Sequence, residues 1–363
     1  MANATPLPDH DASADLAERI RQAGADAAPL RIVGGDTRYF YGREVEGSEL
    51  STREHCGIPF YDPVELVVSV RAGTPLAALE TALAEHGQML PFEPPRYGAA
   101  STVGGMVATG LSGPRRPWAG SVRDFVLGTR VINHEGIEQR FGGEVMKNVA
   151  GYDLSRLMVG AQGGLGLITE VSFKVLPIPG ATHSVHLELP LDEARRRLAE
   201  WGREPLPISA AAWLDGALHL RLEGGPSSVA ATRARIGGDD LDNGFWAALR
   251  DQRLPFFRAG QAPLWRLSLP HRAPPLALPG IDERLMVHDW AGAQRWLRAE
   301  LDADSVRQAC RDAGGHATCY GPRPADVDPF TPLPEVVLKY HRNLKAQLDP
   351  QGIFNPGRLY AAL

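Results

Sequence analysis

Two glycine-rich stretches carry the clearest chemistry in the sequence. The first, Arg31-Ile32-Val33-Gly34-Gly35-Asp36-Thr37 with Gly42 downstream, follows a short apolar run. Without a Cβ to block approach, backbone N–H groups here can converge on an anion, a nest suited to a pyrophosphate. The second runs from Ser101-Thr102-Val103-Gly104-Gly105 to Ser112-Gly113 and opens into a helix start, where Thr102 can add a hydroxyl donor. Two such loops on one sheet domain imply a single dinucleotide held at both phosphates. Neither loop follows G-x-G-x-x-G and no G-x-x-x-x-G-K-[ST] occurs, so the Rossmann and P-loop readings lack their anchor residues.

The remaining reactive side chains give less. Cys56, Cys310 and Cys319 are the only 3 cysteines and lack C-x-x-C spacing, which excludes an iron–sulfur cluster bound by this chain alone and leaves structural thiols as the expectation. His183 and His186 stand at neither i, i+4 nor i, i+2 spacing, so no metal ligand is assigned. A lone His316 reads as structural or solvated rather than as a general base. Lys147 and Tyr152 stay open between substrate contacts and a plain surface or packing role, whereas Asp153 reads as the N-cap of a helix starting at Leu154. Trp290 and Trp296 are expected in the core. No catalytic residue is assigned.

Taken with Gly151-Tyr152-Asp153-Leu154, Gly163-Gly164-Leu165-Gly166-Leu167-Ile168-Thr169 and the terminal Asn355-Pro356-Gly357, the two loops resemble those of flavoproteins with a PCMH-type FAD-binding domain, the vanillyl-alcohol oxidase fold. Within that group the chain is most similar to the FAD-binding subunits of bacterial glycolate oxidase, above all over residues 110–128 and 142–152. The resemblance implies an α+β protein: a PCMH-type domain over residues 1–176, a second α+β, ferredoxin-like cap domain over 177–330, and a C-terminal return segment over 331–363. It also implies noncovalent FAD, because Asp36 stands where covalent members carry a histidine and neither loop contains a cysteine.

Carried over by position, the resemblance puts Gly34, Gly35, Asp36 and Thr37 on the pyrophosphate, with Gly42 closing that loop. Thr102, Gly104, Gly105, Ser112 and Gly113 would line phosphate, ribitol and isoalloxazine. Gly164, Leu165, Gly166 and Ile168 would close over the flavin, Pro91 and Glu93 would form a wall, and Asn355 would reach in from the C-terminal return. The sequence departs from the common pattern at Asp36, usually glycine, at Met106 and Gly110, often asparagine, at Gln162, often glutamate, and at Gly164, often threonine.

The implied activity is that of an FAD-binding subunit in a complex oxidising glycolate to glyoxylate, beside a homologous catalytic flavosubunit and an iron–sulfur subunit. Hydroxy-acid dehydrogenases of the group carry a GDGN-x-H motif that is absent here, so this chain's flavin is expected to be an electron relay or supporting cofactor. Two alternatives remain: a self-sufficient FAD-dependent D-2-hydroxy acid dehydrogenase, and an assembly subunit with a vestigial flavin site.

The elements needed to position these loops are legible. Helices are expected over residues 14–25, 74–85, 154–159, 191–200, 227–236, 291–301 and 335–348. Strands are expected over 30–33, 66–70, 167–176, 183–189, 217–222 and 265–269, with a hairpin from 126–132 to 137–141. Prolines 177 and 179 mark a boundary, and no repeat of fixed period is found. At 363 residues two domains are expected. A net charge of -5 and a pI near 6.1 supply no basic field for nucleic acid. No stretch approaches the ~20 apolar residues of a membrane span, so a cytoplasmic protein is expected, with peripheral attachment to the inner membrane through partners left open.

Overall fold

The computed structural model describes residues 9–143, 153–321 and 323–363. Two compact units emerge, one of Met1–Leu111, Ser121–Ile178 and Pro332–Leu363, the other of Ser112–Gly120 and Pro179–Thr331.

The first unit begins with the helix Ser13–Ala25, whose Leu16, Ile20 and Ala23 recur on one face and are buried. They pack on the parallel strands Leu30–Val33 and Ser48–Ser51, joined in the same core by Ile132, Leu167, Ile353 and Phe354. Leu30 N donates to Ile353 O at 2.7 Å, and Asn355 N donates to Leu30 O at 3.0 Å, so the chain's end extends its first strand. A five-stranded antiparallel sheet completes the unit, in the order Phe60–Asp62, Val67–Arg71, Leu167–Lys174, Val126–Ile132, Glu138–Gly142. The helix Leu76–Glu85 starts after Pro75 without a side-chain cap. Thr74, placed within the helix expected over 74–85, precedes the observed one and exchanges hydrogen bonds with Gly57, pinning the turn before the helix.

The second unit contains one eight-stranded antiparallel sheet made of two halves. The first half runs Ala181–Glu188, helix Leu191–Trp201, Ile208–Leu214, Ala217–Gly224, helix Pro226–Ile236, Asp239–Leu241. Its spatial order places the fourth strand beside the first, then the third, then the second, which is the ferredoxin-like βαββαβ arrangement. The second half repeats that order with Leu264–Ser268, Val287–Asp289, Gln294–Arg298 and His316–Cys319, keeping the second helix, Ala303–Asp312, and replacing the first with irregular chain and a 3-10 turn at Glu283–Leu285. Each half has its own apolar core. They join edge to edge through the pair Trp213 and His288.

Residues 291–301, expected as a helix, contain the strand Gln294–Arg298. Four of its five residues are buried because the strand is central and covered on both faces, a pattern that apolar spacing alone cannot separate from a helix. Its buried Arg295 pairs with Glu283, which also accepts from Arg195 Nη2 at 2.7 Å. Trp290 and Trp296 are buried as expected. Asp153 caps Leu154–Leu157 by accepting from Arg156 N at 3.0 Å. Lys147, Asn148 and Tyr152 lie outside the described residues.

His288 sits at the joint between the halves, with 2% of its surface exposed. Burial, opposed by a hydrogen bond to Glu283 O and reinforced by the charge of Arg295, pushes its imidazole down from 6.5 to about 4. The folded protein therefore holds this ring neutral where the unfolded chain would protonate it. Its contribution is complete above pH 6.5 and is lost as pH falls from there towards 4, by up to ~3 kcal/mol. Denaturant unfolding of the second unit at pH 7.0 and 4.5 should show that loss, and His288→Gln should flatten the slope between the two values. An unchanged slope in the variant would remove His288 as the cause.

Candidate functional site

A cavity of ≈ 320 Å³ opens in the first unit, between the loop after Leu30–Val33, the helix Val103–Thr109 and the turn before Leu167–Lys174. The backbone N–H groups of Gly34, Gly35, Asp36 and Thr37 lie on its wall and have no acceptor among the described residues. Arg38, only 6% exposed, adds a cation to the same wall. Its guanidinium donates to Pro95 O at 2.5 Å and lies 5.7 Å from the Tyr97 ring centroid, so its position is fixed. Converging N–H groups and a buried arginine suit the phosphates of a dinucleotide.

Each glycine here has a specific neighbour. A Cβ on Gly35 would collide with Ala100 O, and one on Gly34 with Thr102 Oγ1, so both let the two loops close on each other. Thr37 Oγ1 and Ser101 Oγ, 2.9 Å apart, tie the same loops side chain to side chain. Asp36 adopts φ 55°, the left-handed region where glycine is common, and its carboxylate turns to Arg31 at 3.3 Å. Its charge is thereby partnered.

The second loop works differently from a phosphate nest. Val103 N donates to Thr74 O at 2.9 Å and Gly104 N to Ala72 O at 2.7 Å, so these donors are spent on the fold. Thr102 Oγ1 accepts from Gly105 N at 3.3 Å, which leaves its own hydroxyl proton to donate. Gly104 faces Ala72, whose Cβ and O would lie 2.7 and 3.0 Å from an added Cβ. Around Gly105 the space is more open, with Thr102 Oγ1 at 3.3 Å and Arg38 Nη1 at 3.8 Å.

The third wall is held by the C-terminal return. Asn355 Oδ1 accepts from Ile32 N at 2.7 Å while its Nδ2 donates to Gln162 O at 2.7 Å, joining the first strand to the 162–168 turn. Arg358 donates to Gln162 Oε1 at 3.0 Å and to the carbonyls of Arg38, Tyr39, Tyr41 and Arg43, holding the first loop in its curve. Lys345 Nζ donates at 2.7 Å to Gly164 O, Phe354 O and the buried carboxylate of Asp349.

Of the residues expected at the site, Gly34, Gly35, Asp36, Thr37, Thr102, Gly104, Gly105, Gly166, Ile168 and Asn355 line this cavity. Gly42 lies behind it, where φ 129° and the nearness of Arg358 and Gln162 call for glycine. Pro91 is buried and Glu93 half-buried, neither on the wall; Gly164 and Leu165 line a second cavity. Ser112 and Gly113 belong to the second unit, where Gly113 O accepts from Trp290 Nε1 at 2.9 Å. Sequence reasoning missed Arg38, Gln162 and Arg358 as wall residues. Arg38 directly follows the first glycine run and Arg358 the Asn-Pro-Gly motif, which is the signal that could have found them.

Elsewhere the titratable groups behave as packed ones. Burial raises the Cys310 thiol to about 12 and the Cys319 thiol to about 11. Burial, helped by the charge of His186, lowers His219 to about 4. His316 is exposed at the start of an edge strand.

Residues 11–142 match the family described as FAD binding domain. The chain is 53% identical over 357 residues to glycolate oxidase subunit GlcE of Escherichia coli (strain K12), covering 98% of this chain and 100% of that one. Glycolate oxidase subunit GlcD of Bacillus subtilis (strain 168) is 36% identical over 118 residues, 32% of this chain and 25% of that one. A solved structure of alkyldihydroxyacetonephosphate synthase shares the fold, with a TM-score of 0.66 at 14% identity, covering 96% of this chain and 75% of that one. The protein is an FAD-dependent oxidoreductase with a PCMH-type FAD-binding domain and a second α+β domain. It belongs to the family of glycolate oxidase subunit GlcE.

The two glycines of the second loop should separate experimentally. Gly105→Leu projects its side chain into open cavity and should cut FAD content at least tenfold with the thermal transition retained. Gly104→Leu drives a Cβ into the Ala72 backbone and should lower the thermal transition itself. Full flavin retention in Gly105→Leu would show that this cavity is not the FAD site.

Proposed function

We propose that this chain is the FAD-carrying subunit of a complex that oxidises glycolate to glyoxylate. The observation that carries the reading is the full-length likeness to glycolate oxidase subunit GlcE together with a cavity whose N–H groups and buried Arg38 suit FAD's pyrophosphate. When bound, FAD supplies a carrier that takes up two electrons and can release them singly.

The first loop and Thr102 hold the phosphates, and the 162–168 turn closes the other side. The flavin is bound without a covalent link: among the described residues no His or Cys lines the cavity. Substrate oxidation is assigned to a homologous catalytic flavosubunit. The GDGN-x-H motif is missing here, and no three His, Cys, Asp or Glu side chains of the described residues are grouped as metal ligands. Onward single-electron transfer requires a one-electron acceptor, which the glycolate oxidase resemblance makes an iron–sulfur cluster, and the three cysteines here cannot supply the usual four thiolates. An iron–sulfur subunit is therefore the second partner. Among the described residues no helix is long and apolar enough to cross a membrane.

Two measurements test this. Acid precipitation of the purified yellow protein should release all flavin to the supernatant, and colour left in the pellet would refute noncovalent binding. Affinity purification from the native host should bring down a larger flavosubunit and a cysteine-rich subunit, with glycolate-dependent dye reduction in the assembly and at most a hundredth of that rate in the isolated FAD-loaded chain. An isolated chain as fast as the assembly would instead make it a self-sufficient dehydrogenase.

A further inference from the structure

We infer that the first unit carries a second ligand site, for a small monocarboxylate with an apolar body, in the cavity that shares the 160–166 turn with the flavin site. The inference does not depend on glycolate being the complex's substrate. This cavity measures ≈ 240 Å³, and its apolar wall includes Leu157, Val159, Leu165 and Leu344. An apolar cavity of roughly 150 Å³ is enough for benzene. The space here therefore takes a ring and a carboxylate together.

No Asp or Glu side chain lines the wall. Two of its cations are committed to the fold: Lys345 spends its donors on Gly164 O, Phe354 O and Asp349, and Arg358 spends its own on the first loop and Gln162. Arg156 is held on one side by Asp153 at 3.1 Å. His341 has its Nδ1 against Val337 O at 2.9 Å, which leaves Nε2 as the ring atom open to a ligand. Leu363, also on the wall, turns its carbonyl oxygen to Gly357 N.

Arg123 is different: it is exposed and has no hydrogen-bond or ion-pair partner among the described residues. A planar guanidinium beside an apolar recess without an Asp or Glu side chain matches a carboxylate with an apolar tail, through two parallel N–H···O bonds. A bare inorganic anion would leave the apolar wall wet, and a neutral apolar molecule would leave Arg123 unused. Neither satisfies both halves of the cavity.

Benzoate is the probe, titrated calorimetrically into the full-length FAD-loaded protein. Saturable one-to-one binding is expected, weakened at least tenfold in Arg123→Gln, which leaves FAD content unchanged. Benzamide, without the charge, and glycolate, without the apolar body, should each bind at least tenfold more weakly than benzoate. Leu344→Trp, which fills the cavity from the exposed C-terminal helix, should abolish binding while flavin is retained. No benzoate binding, equal affinity in Arg123→Gln, or binding only to protein stripped of FAD would overturn the inference, the last by assigning the cavity to the flavin itself. Loss of FAD from the wild-type protein during purification would count against the flavin assignment and not against this site, because the titration with FAD added back still decides it.

Discussion

The cavity proposed for the flavin depends on a carboxamide contributed from the far end of the chain. Asn355 lies 323 residues from Ile32 and 193 from Gln162, and its two polar atoms bond the backbone of both. The side chain is 7% exposed, so truncating it would leave a peptide N–H and a peptide C=O without their partner, at about 1–3 kcal/mol each. Around it the same logic repeats with charge. Asp349 accepts from Ile353 N and Phe354 N while pairing with Lys345, which in turn bonds the turn at Gly164. The turn, the first strand and the C-terminal segment form one hydrogen-bonded unit, so this wall of the cavity can form only after the chain's end has docked.

That constraint explains which parts of the protein were legible in the sequence. Local signals were sufficient where one element decides its own fate: the strand Leu30–Val33 and the helix Glu335–Leu348 fall at their expected positions, and Asp153 caps where a capping residue should. Residues 291–301 misled because a central strand buried on both faces has apolar side chains at helical spacing as well as any other. Ile208–Leu214, seven consecutive buried residues, and the helix Ala303–Asp312 went unread for related reasons. In the first no alternation marks a strand, and in the second the buried face includes Arg307. Arg38 and Arg358 had only their places beside the glycine run and the Asn-Pro-Gly motif to mark them, because their roles arise from carbonyls that only the folded loops bring together.

The second unit shows how far architecture can outlast sequence pattern. Two halves share one strand order and have separate cores, yet no fixed period survives along the chain. The first helix of the second half has gone, and its place in the chain is filled by coil that is anchored by charge. Arg295 bonds the carbonyls of Ala273 and Pro274 and pairs with Glu283, whose other oxygen takes Arg195 from the first half's helix. A buried ionic network is an expensive substitute for apolar packing, because desolvation opposes it and the loss of either partner strands a charge. What it provides is direction. The guanidinium forks specify where the irregular segment must lie, which a helix would otherwise do by its own hydrogen bonds.

The departures from the common flavoprotein pattern acquire physical content in the same way. Asp36 replaces a glycine at a left-handed position, which an aspartate tolerates better than most residues, and Arg31 neutralises the carboxylate that would otherwise face a phosphate. Gly110, where asparagine is frequent, ends the helix Val103–Thr109 at φ 64°, a conformation that both residues accept. Met106 is buried in the core and does not line the cavity, so its side chain is a packing choice with no direct bearing on the cofactor. None of the three removes an N–H group or a cation from the cavity wall. The nest of Gly34 to Thr37 is not blocked and its acid, Asp36, is partnered, whereas Glu44, the other acid on this wall, is exposed and has no partner among the described residues; the substitutions at Asp36, Gly110 and Met106 do not by themselves mark a decayed site.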